Sequence, residues 1–329
     1  MSKAKKIRNF MEDRYERIMI ANKTRKSTEE YRNQLLRKYK NFFLSPVELK
    51  EMNELFFQSY GKLIPCHWHM FYKQSSGKYD SAYFPVNLMP KLIYYANPEN
   101  MAKILEDMNF FASVADSASV RFPKVVLKRS RAVFTDGDNH IISRQMAMSI
   151  MSENDNLIMK DAENHSICSD FENENFIMFM MPETGSFIDE NRDSITITTF
   201  KVRDRIFAAP GVYSNESEEG VIFAGIDDDG RLSNGSTKEI SEYRSIQKEA
   251  CRMHSFVPQM GIVTWQFTAD RCGKPILTDW SMTDFSNLHR SQMTNGRGIF
   301  GEHTDYILSW LANAEKISAA ERISERLCL

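Results

Sequence analysis

The feature that most constrains the fold of this chain is a β-hairpin signal near its C-terminus. Residues 261–269 and 274–280 both contain β-branched and aromatic residues, and the turn sequence DRCG at residues 270–273 joins them. Strands joined by so short a turn pair antiparallel. Further strand patterns precede the hairpin, so the C-terminal half is predicted to form antiparallel sheet; these patterns lie at residues 195–200, 205–208 and 221–226.

The N-terminal part of the chain carries helix signals instead. Residues 45–48 (SPVE) form a capping box with proline at the first helical position, and Gly61 marks the end of that helix. A second capping box lies at residues 27–30, and later helices are predicted at residues 99–105, 142–151, 237–253 and 302–314. Helices followed by antiparallel strands predict an α+β fold rather than a doubly wound parallel sheet.

Composition excludes several functional classes. The formal net charge of −2 gives no bulk electrostatic reason to expect nucleic acid as a partner, and no apolar window is long enough to span a membrane. Five cysteines without a C-x-x-C pair indicate a reducing compartment, so we expect a cytoplasmic protein. Peripheral membrane contact stays open, because residues 3–26 carry nine basic and three acidic side chains. That run equally fits a solvated helix face.

Two segments of the C-terminal half together resemble a known family. Residues 261–282 (GIVTWQFTADRCGKPILTDWSM) and 295–308 (NGRGIFGEHTDYIL) resemble the closing motif of the ATP-grasp proteins encoded with capsule and surface-polysaccharide enzymes. That motif reads roughly GxxxWDxxxDxxGxPxxIExN, then Q, G and LFG before a helix. The matching positions are Trp265, Asp270, Gly273, Pro275, Gln292, Gly296, Phe300, Gly301 and Asp305.

Upstream segments follow the order expected of the same family. Residues 194–232 resemble its run of a TIR-containing strand, a DN-containing loop and a GID-x-x-G-x-L strand end, and the resemblance covers about residues 80–310. The matches in this part are Asn215, Gly225, Ile226, Asp227, Gly230 and Leu232, with YFP at 83–85, PKV at 123–125 and LIMK at 157–160.

The resemblance implies an ATP-grasp-like fold of two α+β lobes that hold ATP between them, with a helical N-terminal extension. The implied boundaries are 1–95 for the helical region, 96–181 for a lid lobe and 182–329 for the C-terminal lobe. The implied cofactors are ATP and Mg²⁺. The implied function is an ATP-dependent ligase of surface-polysaccharide biosynthesis, which phosphorylates the carboxylate of a sugar or glycan intermediate so that an amine or similar nucleophile captures the acylphosphate.

Five residues are candidates for this chemistry. Lys160 would hold a phosphate, and Arg203 would face the acylphosphate. Asp279, Gln266 and Ser281 would hold Mg²⁺ as oxygen ligands. In the family these three positions carry Glu, Asp and Asn, so the present set has one negative charge fewer.

Other positions depart further from the family pattern. Met108 stands where a lysine is expected, and Thr196 where a strand arginine is expected. Residues 161–170 (DAENHSICSD) replace a glycine- and serine-rich loop over the phosphates, and their three acidic side chains repel a triphosphate unless cations intervene. These departures keep two further hypotheses open: a degenerate ATP-grasp fold acting as a non-catalytic binding or scaffold subunit of a glycan assembly complex, and a site that uses another donor.

Purely structural interpretations also remain for individual residues. Lys160 could extend its ammonium to water from the end of an apolar strand, and Asp279 could pair with Arg297. Residues 67–69 (HWH), in an extended segment, fit an aromatic cluster better than a metal site, because no spacing specifies a third ligand among Cys66, Asp80 and His140. His165 and Cys168 could form a base and nucleophile, but nothing nearby in sequence orients them.

Overall fold

The structure is a computed structural model that describes residues 43–154, 156–169, 171–180, 187, 193–217, 220–233 and 239–316. The predicted capping box at residues 27–30 and the basic run at 3–26 lie outside these residues. Within the described part, no helix is long and apolar enough to cross a membrane.

Five helices precede the first strand of the described chain. In the first, the Ser45 hydroxyl accepts from the Glu48 amide while the Glu48 carboxylate accepts from the Ser45 amide, and Gly61 ends the helix with φ 74°. The predicted capping box is therefore confirmed. Residues 67–69, predicted as extended, are helical instead. The five helices are α1 (Pro46–Tyr60), α2 (His67–Ser76), α3 (Met89–Ala96), α4 (Glu99–Glu106) and α5 (Met108–Ser117).

A first antiparallel sheet follows these helices. Its strand order is β3-β2-β1-β5-β4, and the helix α6 (Arg144–Glu153) packs against one face. The predicted strand with a turn at residues 122–134 is thus a hairpin of two strands. The strands are β1 (Val125–Ser130), β2 (Val133–Asp136), β3 (Ile141–Ile142), β4 (Leu157–Asp161) and β5 (Asn175–Met180).

A second antiparallel sheet occupies the C-terminal half. Its order is β11-β10-β6-β8-β9, with β7 also paired to β6, and the predicted hairpin forms its β10 and β11. The strands are β6 (Asp193–Val202), β7 (Arg205–Ala208), β8 (Val212–Ser217), β9 (Gly220–Gly225), β10 (Ile262–Ala269) and β11 (Pro275–Ser281). The remaining helices are α7 (Tyr243–Ser255), α8 (Ser286–Asn295), a short 3₁₀ turn (Gly301–His303) and α9 (Thr304–Ala314).

Two antiparallel sheets with segregated helices confirm the predicted α+β class. The N-terminal helices do not stand apart, because α1 and α3 share a hydrophobic core with α9 and the Phe200 end of β6. A second core lies between the second sheet, α7, α4 and α5. The third core lies between the first sheet and α6.

One face of the second sheet is apolar and the other becomes polar towards β11. Val263, Trp265 and Phe267 pack into the core with α7, whereas Thr264 and Gln266 point the other way. Strand register aligns the polar side chains in two rows: Thr196, Gln266 and Asp279 in one, and Thr198, Thr264 and Ser281 in the next. This polar face forms the floor of the candidate site.

Candidate functional site

The candidate site is a cleft between the two sheets, with a volume of about 390 Å³. Its floor is the polar face of β6, β10 and β11. The end of α4 and a loop that follows β4 form one wall, and α8 forms the other. The lining side chains are Glu106, Glu163, Asn164, His165, Thr196, Thr264, Gln266, Asp279, Trp280, Ser281, Thr283, Asp284, Asn287 and Arg290.

Lys160 on β4 and His165 in the loop after β4 both contact one carboxylate of the second sheet, Asp279, which lines this cleft. The Nδ1 atom of His165 lies 2.5 Å from Oδ1 of Asp279, and the Nζ atom of Lys160 lies 3.3 Å from its Oδ2. We call these three residues the Asp279 triad. The side chains of His165 and Lys160 are only 12% and 19% exposed, so the contact is largely shielded from solvent.

Local hydrogen bonds present His165 to the cleft. Asp161 ends β4, and its Oδ1 accepts from the amides of Glu163 and Asn164, which forms a tight turn. The His165 amide then donates to the Asp161 carbonyl, and His165 itself adopts φ 60°. Its ring lies against Trp280, with 5.0 Å between the ring centroids. The turn thus fixes the direction of the imidazole.

The contacts of His165 favour the doubly protonated ring. While Nδ1 faces the Asp279 carboxylate, Nε2 lies 2.6 Å from the carbonyl oxygen of Glu106. A neutral imidazole has only one N–H, so two oxygen acceptors are satisfied by the doubly protonated ring. Burial alone would lower the pKa of His165, but the hydrogen bond and charge of Asp279 outweigh it and raise that pKa above its ordinary value.

The pKa of the Asp279 carboxyl shifts the opposite way. Burial would raise it, but the hydrogen bond from His165 and the charge of Lys160 hold it below its usual range. Asp279 is therefore ionised between two cations, and its Oδ1 also accepts from the Trp280 amide.

A second lysine lies in the same row of the first sheet. Lys128 on β1 and Lys160 on β4 both pair with Ile177 on β5, so the three side chains point to one face, and the lysines are roughly 10 Å apart across two strand spacings. Lys128 is 7% exposed, its Nζ lies 2.8 Å from Oδ1 of Asn139, and burial lowers its pKa. The sequence interpretation did not single it out.

The residues predicted to hold Mg²⁺ do come together, but their contacts do not fit that role. Ser281 is saturated: its hydroxyl donates to Glu106 and accepts from the amides of Thr283 and Asp284. Asp279 is already bound by two cations. Only Gln266, whose Nε2 donates to Ser194, could still offer a side-chain oxygen.

Arg203 is not brought to the cleft. It lies in the turn between β6 and β7 with φ 55°, and its guanidinium is 5.5 Å from the ring centroid of Tyr306. Thr196 of β6 lines the cleft, and Arg203 follows it by seven residues along the chain. At about 3.3 Å per residue, Arg203 lies roughly 23 Å from Thr196. The arginine in the cleft wall is Arg290 of α8, 4.7 Å from the Phe223 ring centroid.

Several of the structural interpretations can be decided. Arg297 pairs with Asp228 at 2.7 Å, so it is not the partner of Asp279, and Lys160 reaches Asp279 rather than only water. His165 is oriented by contacts far away in sequence, whereas Cys168 packs at the edge of the core beside α6.

The two histidines of α2 belong to an aromatic cluster. The His69 ring is 5.6 Å from Phe56 and 5.9 Å from Tyr83, and its Nε2 contacts the Ser81 carbonyl. Among the described residues, one group of three potential metal ligands lies together: Asp136, Asp138 and His140, on an exposed turn. No residue of α2 belongs to this group.

Several solved structures have a limited similarity to this chain. No protein-family model and no curated protein matches the sequence. Similar solved structures include D-alanine–D-alanine ligase from Bacillus anthracis complexed with ATP, at TM-score 0.43 and 10% identity, covering 68% of this chain and 68% of that one. L-amino acid ligase from Bacillus licheniformis has TM-score 0.41 and 12% identity, covering 66% and 49%.

A third similar structure is N5-carboxyaminoimidazole ribonucleotide synthetase from Thermotoga maritima, with TM-score 0.36 and 9% identity, covering 54% of this chain and 42% of that one. The chain thus spans less than half the length of this protein and of the L-amino acid ligase. These values are too low to assign the chain to a family.

Proposed function

We propose that the cleft is a nucleotide site and that the chain is an ATP-dependent ligase of the ATP-grasp type. The observation that carries the proposal is the side-chain contact between Lys160 and Asp279. These residues are 119 positions apart, belong to different sheets, and were selected by the sequence resemblance as phosphate and metal residues. Their contact joins the first sheet to a residue that lines the polar cleft on the second sheet.

In this proposal, the cations of the cleft neutralise the phosphates of ATP. Lys160 and Lys128 lie in one row on the first sheet. Arg290 lines the cleft from α8. Arg290 takes the role first assigned to Arg203, because a cation must lie near the phosphoryl group to stabilise its charge. Mg²⁺ is assigned no role, since Asp279 and Ser281 are engaged by other groups.

The proposed reaction has two steps. A substrate carboxylate oxygen attacks the γ-phosphorus of ATP, the bond to the β-phosphate oxygen breaks, and ADP leaves with that electron pair. An amine then attacks the acylphosphate carbon, phosphate leaves, and the amine loses a proton. The resemblance makes a carboxylated sugar or glycan intermediate of surface-polysaccharide biosynthesis the proposed substrate. Thr264, Gln266 and Asn287 offer hydroxyl and amide groups that suit its hydroxyls.

Hydroxylamine trapping tests this proposal directly. The protein is incubated with ATP, hydroxylamine and each of a set of sugar acids, and hydroxamate and ADP are measured together. We expect both products in equal amounts with the correct acid, and a loss of about 100-fold or more in Lys160→Met, because a charge-stabilising contact is removed. Lys103→Met is the matched control, since its lysine is 70% exposed and pairs with Glu99 along α4, outside the cleft lining.

A second candidate is a non-catalytic binding module for a polar ligand such as a glycan. The observation that favours it is the pairing of the central carboxylate, Asp279, with His165 and Lys160 inside the protein. For a binding module, the trapping assay yields no hydroxamate with any acid, and Lys160→Met leaves glycan binding on an array unchanged.

A further inference from the structure

A chain of three buried polar side chains crosses the floor of the cleft. Thr198 on β6 pairs with Thr264 on β10, and their hydroxyl oxygens lie 2.9 Å apart. The Nδ2 atom of Asn287, in the first turn of α8, donates to the same Thr198 oxygen over 3.1 Å. All three residues are buried, and we call them the Thr198 chain. Thr264 and Asn287 line the cleft, so the chain connects two positions on its surface.

The hydrogen bonds of the Thr198 chain run in one direction. The Thr198 oxygen accepts from Asn287, and within the described part of the chain its own proton has no acceptor besides the Thr264 oxygen. Thr198 is 1% exposed, so water does not take that proton instead. Because a hydroxyl has a single proton, Thr198 donates to Thr264. The proton of the Thr264 hydroxyl is therefore left for a partner in the cleft.

Asn287 offers the complementary group to the cleft. Its side chain is 4% exposed, its Nδ2 is engaged by Thr198, and its Oδ1 accepts no hydrogen bond from any described residue. A buried acceptor without a donor costs about 1–3 kcal/mol, and a ligand hydroxyl that donates to it removes that cost. The Thr264 oxygen and the Asn287 amide nitrogen both lie within 3.1 Å of the same Thr198 oxygen, so one small ligand group can contact both residues.

The rest of the cleft lining is rich in hydrogen-bond acceptors. Its carboxylates outnumber its two basic side chains, Arg290 and His165, and are Glu106, Glu163, Asp279 and Asp284. One oxygen of Glu106 and the Oε1 atom of Gln266 accept no hydrogen bond from the residues that the structure describes. These acceptors suit the O–H donors of a polyhydroxylated ligand. They also suit an ammonium group, but an ammonium has no lone pair that could accept from Thr264.

We infer that the Thr198 chain is a hydroxyl-binding subsite, in which Thr264 donates to a ligand hydroxyl and that hydroxyl donates to Oδ1 of Asn287. The ligand then closes a ring of hydrogen bonds in which each of the four groups donates once and accepts once. Thr264 and Asn287 determine specificity, and Thr198 positions them. The inference rests on the proposed function, since it takes the substrate to be a polyhydroxylated acid, and it adds that one hydroxyl of this acid must both donate and accept.

Ligand-observed NMR titration of the full chain, with and without ATP and Mg²⁺, tests the inference. Two probes are the sugar acids D-glucuronate and D-galacturonate. A third is cyclohexanecarboxylate, which has the same charge and a six-membered ring without hydroxyls, and a fourth is cyclohexylamine, a cation that only donates. We expect at least one sugar acid to bind about 10- to 100-fold more tightly than cyclohexanecarboxylate, because only a hydroxyl satisfies the buried acceptor of Asn287.

Three variants of strand β10 show whether the Thr264 hydroxyl is responsible. Thr264→Val removes the hydroxyl with little change of shape and should weaken sugar-acid binding by about 10-fold, whereas Thr264→Ser keeps the hydroxyl and should retain binding. Thr268→Val is the matched control, because Thr268 lies on the same strand outside the cleft lining. All three variants should bind cyclohexanecarboxylate as the unmodified chain does.

Several results would overturn the inference: no binding of either sugar acid, equal binding of cyclohexanecarboxylate, or tighter binding of cyclohexylamine than of both sugar acids. Sugar-acid binding that Thr264→Val leaves unchanged would overturn it as well, since the subsite then holds only water. ATP titrated into the same samples tests the nucleotide site separately. ATP binding without sugar-acid binding rejects the inference and retains that site, whereas sugar-acid binding that depends on Thr264 without ATP binding retains the inference and rejects the proposed ligase.

Discussion

The buried contact between His165 and Asp279 should contribute measurably to stability. The two side chains are 12% and 27% exposed, and their atoms approach to 2.5 Å. A hydrogen bond to a charged group contributes about 1.5–3 kcal/mol. Because Lys160 remains beside Asp279 when the imidazole is removed, we expect a coupling energy of about 2 kcal/mol, within that range.

A double-mutant cycle measures this coupling. Urea unfolding is followed by tryptophan fluorescence for the unmodified chain, His165→Gln, Asp279→Asn and the double variant. The two single changes should together cost clearly more than the double change. The comparison cycle uses His140 and Asp136, a pair of the same residue types on an exposed turn, for which we expect no measurable coupling. Equal coupling in the two cycles, or none in the first, would refute the assignment of His165 as a buried cation.

Three further predictions concern the scaffold around the cleft. Asn97→Ala should lower the free energy of unfolding by roughly 3–5 kcal/mol in urea titrations, because this buried amide bonds the backbone at residues 261–262 and 282; a loss below about 1 kcal/mol would contradict that. Gly298→Ala should lower Tm, since its Cβ would overlap the Ala82 carbonyl; an unchanged Tm would show that the backbone can move. Burial lowers the pKa of His254 from 6.5 to about 4, so the unfolded state takes up its proton first as pH falls. The unfolding free energy should therefore decrease between pH 6.5 and 4 by roughly 3 kcal/mol for this group, and His254→Gln should flatten that decrease in urea titrations at several pH values.

The parts of the fold that sequence predicted are those with local signals. α1 has a capping box and a terminal glycine within its own sequence, and the β10–β11 hairpin has its turn between its strands. Helices α2 and α8 are preceded by the cap residues Cys66 and Phe285, which make no side-chain capping bond, so their starts carry no such signal. Burial against the rest of the chain holds these helices, and sequence periodicity alone does not show which residues will pack there.

In the candidate site, too, sequence predicted the residues that matched a recognisable pattern and missed those placed by tertiary packing. Lys160 and Asp279 were selected from sequence because a family pattern named their positions. From sequence, His165 could be considered as a base but not assigned a role, because the groups that orient it are 114 and 59 positions away. Asp161, four residues before it, was the available signal, since an aspartate at a strand end often forms a tight turn. Arg290 carried no pattern at all, and only the packing of α8 beside the second sheet brings it to the cleft.

Calorimetric titration of ATP into the full chain, in the presence of Mg²⁺, tests the central claim most directly. The claim is that the cleft around Lys160 and Asp279 is a nucleotide site. The account predicts saturable binding that is lost in Lys160→Ala and retained in Lys103→Ala. Absence of binding at millimolar ATP, or equal binding by both variants, would contradict it and favour the non-catalytic binding module.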